Sequence, residues 1–219
     1  MLKTVIFDMD GVIVDSEPVH HYAYQQHFLQ LNIDVSSELY ASFTGNSTKN
    51  IFEKLKSQFS LNQSVEELVN TKRQLFNDAF DNKSDLTLID GVLPLIKNLK
   101  ANDVQLVLAS SSARVTIERI FKRFDLYQYF AGIFSGEEFP QSKPHPALFL
   151  SAWEYSGHNK ENCIVIEDST NGVLAAQAAG IKCLGYDSFH SKQQDYSQAH
   201  WVINDFNAVD FDLINNWMR

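Results

Sequence analysis

The sequence predicts an α/β fold: a parallel sheet with helices on both faces, interrupted after its first strand by a wholly helical insert. Three observations carry this. Short apolar runs alternate with helical patterns along most of the chain. Residues from about 18 to 85 have helical spacing of apolar positions and no strand-like run between them. Polar residues with chemical potential stand just where the apolar runs end.

The first run, residues 2–7 (LKTVIF), has the continuous apolar character of a strand buried on both faces. Three helical patterns follow: "PVHHYAYQQHFLQL", "TKNIFEKLKSQF" and "VEELVNTKRQLFNDAF". Pro18 suits the first turn of the first of them. Residues 92–100 (VLPLIKNLK) predict a helix after Gly91, and residues 104–109 (VQLVLA) a second strand. Residues 113–124 (ARVTIERIFKRF) predict a helix behind three serines able to cap it. Further strands are expected at 131–135, 163–166, 182–186 and 201–203. Residues 171–179 predict a helix between Ser169–Thr170 and Gly180, a usual residue just past a helix end. Strand–helix alternation of this kind gives a Rossmann-like parallel sheet. The expected core is residues 1–15 and 86–219, with a helical cap over 16–85.

The chain has 219 residues, 44% of them hydrophobic, enough for one large domain with an insert and a full core. Its net charge of −9 disfavours nucleic acid as a partner, since that needs a basic face. Cys163 and Cys183 lack metal-ligand or CxxC spacing and read as reduced thiols of a cytoplasmic protein. Asp8 and Asp10 interrupt the first apolar run too early for a secretory signal, and no segment has the length to span a membrane. The protein is expected to be a monomer.

In a doubly wound sheet, ligands bind in the crevice at the carboxyl ends of the strands. Asp8 and Asp10 follow the first strand, Ser110, Ser111 and Ser112 the second, Glu167 and Asp168 the "CIVI" strand. Lys143, in "SKPHP", precedes a further core helix. Four carboxylates, a serine cluster and a lysine would meet at one edge. That set suits phosphoryl transfer with Mg2+, which takes about six oxygens, commonly one or two carboxylates plus waters and phosphate oxygens. A carboxylate not consumed by the metal can attack phosphorus, and a second one two residues on can move a proton. Each piece has a plainer reading. "DMDG" alone is a turn, but Val12 stands where an EF-hand needs an oxygen ligand. Ser110 alone is a helix cap, Lys143 a solvated lysine, and Glu167–Asp168 a cap for the next helix. "TGNSTK" at 44–49 lacks the Gly-Lys-Ser/Thr order of a phosphate loop.

"DMDGV", the serine closing a hydrophobic strand, the Lys-Pro and "IEDS", in this order over essentially the whole chain, resemble the four signature motifs of the haloacid dehalogenase superfamily. "DGVIVDSEP" and the helical insert resemble its β-phosphoglucomutase-like branch of phosphatases and sugar-phosphate mutases. The resemblance implies that Asp8 is the nucleophile and Asp10 the general acid/base. It implies that Ser110, with Ser111 beside it, and Lys143 bind the phosphoryl group. The metal site would be Asp8, the Asp10 carbonyl, Asp168 and Glu167, with Asn171 and Gly172 starting the helix behind. Glu17, His20, Asn46, Lys49, Lys72 and Arg73 are the candidates for gripping a small phosphorylated metabolite from the cap.

The expected reaction is Mg2+-dependent hydrolysis of a phosphate monoester, a sugar phosphate by preference. The alternative is a hexose phosphate mutase. Such mutases carry an arginine three residues after a cap-loop glycine, whereas Thr48 stands three after Gly45, with Lys49 next to it. A dehalogenase, which makes no use of the second aspartate, and a catalytically inert binding module rank below both.

Overall fold

The computed structural model describes residues 1–43, 46–83, 86–188 and 194–219. Six parallel strands form one sheet: β1 (Thr4–Phe7), β2 (Gln105–Ser110), β3 (Phe130–Ser135), β4 (Cys163–Glu167), β5 (Lys182–Tyr186) and β6 (Trp201–Ile203), in the order β3-β2-β1-β4-β5-β6. All six expected runs are strands. The chain builds outward from β1 on one side, then returns to lay β4 against its other edge, so β1 and β4 flank the point where the winding reverses. In register, Phe7 pairs with Leu108 on one side and Ile166 on the other. The next residues, Asp8, Ala109 and Glu167, therefore stand at one level near the carboxyl edge of the sheet. Asp8 is still tied to the sheet, its N–H donating to the Ile166 carbonyl at 3.0 Å.

Alternation along the strands assigns side chains to two apolar layers. On one face Val5, Phe7, Leu106, Leu108, Ile164 and Ile166 pack against helices α5 (Val92–Ala101) and α6 (Arg114–Arg123), at Leu95, Ile96, Ile117 and Phe121 among others. On the other, Ile6, Val107, Ala109, Cys163, Val165 and Cys183 meet α7 (Ala147–Ser156) and α8 (Thr170–Ala179), at Phe149, Ala152, Val173 and Ala176. Both cysteines are free thiols in this apolar layer. Helix α9 (Phe211–Trp217), too short and polar to announce itself in the sequence, is capped by Asp210 and buries Ile214 against the first layer.

Between β1 and β2 lie α1 (Glu17–Leu31), α2 (Ser37–Ala41), α3 (Thr48–Phe59) and α4 (Val65–Asn82). Three were expected; α2 is added by Ser36, whose hydroxyl accepts from the Leu39 N–H. Ser47 caps α3, and Ser64 with Glu67 forms a reciprocal capping box on α4. Such caps contribute about 1 kcal/mol each. Tyr24, Phe28, Phe43, Phe52, Leu55 and Leu68 make a separate aromatic-rich cluster inside this bundle. The bundle is not wholly self-contained: Val19, Ala23, Phe76 and Phe80 join the apolar layer of the sheet. No helix among the described residues is long and apolar enough to cross a membrane.

Candidate active site

A cavity of about 1360 Å3 lies between the carboxyl ends of β1, β2 and β4 and the helices inserted after β1. Asp8, Asp10, Ser111, Lys143, Glu167 and Asp168 line its floor; Glu17, His20, Asn46, Lys49, Lys72 and Arg73 line the opposing side. Nearly every residue singled out in the sequence thus borders one space.

Lys143 is the floor's anchor. It is 2% exposed, and its Nζ donates to Asp8 Oδ1 at 2.6 Å, Glu167 Oε1 at 2.7 Å and the Ala109 carbonyl at 3.1 Å, above the Phe149 ring. The plain reading of a solvated lysine does not hold. One ammonium is shared by two buried carboxylates. Burial opposes charging Lys143, but the charges of Asp8 and Glu167 overcome this and raise its pKa. Asp8 is left short of positive charge: burial, with Glu167 and Asp10 adding to it, outweighs the lysine and raises its pKa well above the carboxylate range.

Asp10, two residues on, sits in the opposite environment. Burial would raise its pKa, but hydrogen bonding and charge from His20, then bonds from Ser112 and Ser16, pull it well below the usual range. Ser16 Oγ donates to Oδ1 at 2.5 Å, Ser112 Oγ to Oδ2 at 2.6 Å, and His20 Nε2 lies 3.4 Å from Oδ1. The sequence names Ser112 only as one of the serine triplet and gives Ser16 no role. Their signal was present in "DSEP" and in the serine triplet, but only the fold shows which serine turns inward. Ser110 does not line the cavity: it is fully buried, its Oγ accepting from the Ser112 N–H at 3.0 Å. Nor do the three serines cap α6, whose N-cap is Ala113 without a side-chain bond.

Glu167 is spoken for by protein groups. Oε1 takes Lys143; Oε2 accepts from the Ser169 N–H and hydroxyl, each at 2.9 Å. Ser169, rather than Glu167 or Asp168, caps α8. Gly172 is required here, because a Cβ would fall 1.8 Å from Glu167 Cδ. Asp168 presses on the turn just after Asp10: a Cβ on Gly11, whose φ is +80°, would meet its Oδ2 at 2.1 Å. Among the described residues no three His, Cys, Asp or Glu side chains form a ready-made ligand cluster. The donor set still fits Mg2+, which needs only one or two carboxylates beside waters and substrate oxygens. Asp8 and Asp168 are hard oxygen donors just past the ends of the neighbouring strands β1 and β4, in a place with surplus negative charge.

On the opposing side, Lys72 is 3% exposed, its Nζ donates to His20 Nδ1 (2.6 Å), and it lies 4.5 Å from the Tyr24 ring centre. Burial lowers its pKa to about 7, against the pull of Asp10 and Glu17. Lys72, His20 and Asp10 therefore form one chain of contacts from α4 to the floor. Arg73 bonds Glu137 Oε2 at 2.9 Å, and Asn50 Nδ2 bonds Ser142 Oγ at 2.9 Å, two further ties across the cavity mouth. Lys49 is two-thirds exposed, 3.9 Å from Glu53. Asn46 donates to the Ser42 carbonyl. Gly45, from which the mutase arginine position is counted, and Thr44 lie outside the described residues.

The family model for haloacid dehalogenase-like hydrolases matches residues 5–186. Protein CbbY of Rhodobacter capsulatus is 28% identical over 95% of this chain and 95% of its own length. A phosphorylated carbohydrates phosphatase of Thermotoga maritima is 29% identical over 87% of each chain. In fold, the chain is similar to the crystal structure of β-phosphoglucomutase from Clostridium difficile, with a TM-score of 0.86 at 22% identity, covering 100% of this chain and 97% of the other.

Proposed function

Because this chain belongs to the haloacid dehalogenase-like hydrolase family, we propose that it is a phosphatase that hydrolyses a small phosphate monoester, a sugar phosphate, through an aspartyl phosphate on Asp8. The observation that carries the reading is the contrast between two carboxylates two residues apart. Asp8 is fixed by Lys143 and short of positive charge; Asp10 is held by Ser16, Ser112 and His20. The Lys143 ammonium on Asp8 offers positive charge to a phosphoryl group transferred there, and the hydroxyls and imidazole around Asp10 fix it in place as a carrier of protons. Relatives named as phosphatases, one of them for phosphorylated carbohydrates, support the choice of substrate class.

In this reading residues 1–15 and 86–219 are the catalytic core and 16–85 the cap that closes over the phosphate. Asp8 attacks phosphorus in line with the departing sugar oxygen. Lys143, already bonded to the nucleophile, neutralises charge on the transferring group, and the backbone after β2, at Ser111, adds a donor. Asp10 gives a proton to the leaving oxygen, a proton carried in by the substrate monoanion, whose second pKa lies near 6. Its resting contacts keep it anionic, which suits the second half, where it takes a proton from the water that attacks the aspartyl phosphate. Asp8, Asp168 and the Asp10 carbonyl would hold Mg2+, with Glu167 behind as the group that fixes Lys143 and Ser169. When bound, the metal supplies charge stabilisation and alignment of the phosphoryl oxygens. General acid/base help is worth roughly 10² to 10⁴-fold. The mutase alternative lacks the expected arginine, since Thr48 holds that place, and an exposed lysine does not reproduce bidentate phosphate recognition.

The test measures phosphate release from sugar phosphates with Mg2+, with a chelator, and by Asp8→Asn. Release is expected only with both metal and Asp8, the variant keeping its fold. Faster accumulation of glucose 6-phosphate than of free phosphate from β-glucose 1-phosphate plus a trace of bisphosphate would overturn hydrolysis in favour of the mutase.

A further inference from the structure

We propose that Glu17 sets the substrate class: it accepts hydroxyl hydrogen bonds from the far end of the substrate and excludes a second anion there, so the substrate is a sugar or polyol monophosphate with an uncharged tail. This rests on the phosphatase reading above and specifies it further.

A second phosphate or a carboxylate in the cavity needs an uncommitted cation on the insert side. Among the described residues three lysine or arginine side chains line that side; two are engaged and the third is mostly exposed. Lys72 is buried and bonded to His20. Arg73 is held by Glu137 at 2.9 Å. Lys49 points to solvent beside Glu53. What α1 presents to the cavity instead is the Glu17 carboxylate, at the first position of the helix and one residue after Ser16, which holds Asp10. Tyr40 donates to Glu17 Oε1 at 2.9 Å, which fixes the carboxylate and leaves acceptor capacity over. A carboxylate can only accept. Its natural partner is a hydroxyl, and an anionic tail in its place meets like charge in a partly desolvated cavity. Beside it, Tyr24, Phe43 and Phe76 line the cavity with aromatic surface. Flat apolar faces beside a few fixed polar groups suit a ring or carbon chain that carries hydroxyls. Thr48, where a mutase would place arginine, belongs to this neutral wall.

The experiment compares the wild-type enzyme with Glu17→Gln, both with Mg2+, by steady-state phosphate release. The probes are neutral-tailed esters (glucose 6-phosphate, xylitol 5-phosphate, glycerol 3-phosphate), two anionic-tailed ones (fructose 1,6-bisphosphate, 2-phosphoglycolate), and p-nitrophenyl phosphate, which has no hydroxyl. Gln keeps an acceptor for Tyr40, and circular dichroism checks the fold. A charge-assisted hydrogen bond gives roughly tenfold or more. The best neutral-tailed probe is therefore expected to exceed both anionic-tailed probes roughly tenfold in kcat/KM. In Glu17→Gln its advantage over p-nitrophenyl phosphate should fall by a similar factor, and the gap to the anionic-tailed probes should narrow. A wild-type preference for either anionic-tailed probe, or changes in these ratios below about threefold, would overturn the role of Glu17 while leaving the phosphatase reading intact. No Asp8-dependent release from any probe would overturn the phosphatase reading, and this inference with it.

Discussion

Lys143→Met tests the centre of the site. The substitution keeps the length and apolar stem of the side chain, including its place over Phe149, and removes only the ammonium. Three bonds are lost at once, to Asp8 at 2.6 Å, Glu167 at 2.7 Å and the Ala109 carbonyl at 3.1 Å. Asp8 and Glu167, 6% and 1% exposed, are left as two buried carboxylates without their shared counter-charge. Breaking a buried pair in this way costs about 3 to 5 kcal/mol. For a chain of this size that lowers Tm by on the order of 10 °C. Two refinements separate this cause from general disruption. Proton uptake by one of the two carboxylates relieves the repulsion, so the loss should be smaller at pH 5 than at pH 8. Adding Glu167→Gln to Lys143→Met should return part of the lost stability, a coupling that a double-mutant cycle reads directly. The assay is urea unfolding at both pH values in the presence of a chelator. A Lys143→Met protein within about 1 kcal/mol of wild type at pH 8, or a double variant no better than the single one, would refute the shared-ammonium account.

Gly172→Ala should destabilise by about 3 kcal/mol or more, because the new methyl cannot coexist with the Glu167 carboxylate and must push it off Lys143 and Ser169; an unchanged thermal melt would show that Glu167 does not lie against α8. Lys72 has its pKa lowered to about 7 by burial. The unfolded chain then binds more protons than the folded one between about pH 7 and 10.5, so stability must rise with pH through that window. From pH 7 to 8.5 the gain should be about 1.5 kcal/mol and should vanish in Lys72→Met; a slope unaltered by that substitution would mean that Lys72 keeps an ordinary pKa.

The sequence alone determined the sheet, because its inner strands β1, β2, β4 and β5 are buried on both faces and must be mostly apolar, a signal that is local and strong. It determined the insert by the same logic, through helical periodicity unbroken by any strand. It also placed Asp8, Ser110 and Glu167 at strand ends, and strand ends of a doubly wound sheet share an edge. The tertiary structure decided what each side chain does there, because hydrogen-bond partners come from segments far apart in the chain. Nothing local distinguishes Ser112, whose hydroxyl holds Asp10, from Ser110, whose hydroxyl instead accepts from the Ser112 N–H. Nothing local marks Lys72 as buried, since a lysine in an amphipathic helix ordinarily faces water, and only the packing of α4 on α1 brings it to His20. The short helices α2 and α9 escaped notice for a related reason: five and seven residues are too few for a period to register, and their caps and the apolar surface they cover stabilise them only once the rest of the fold is in place.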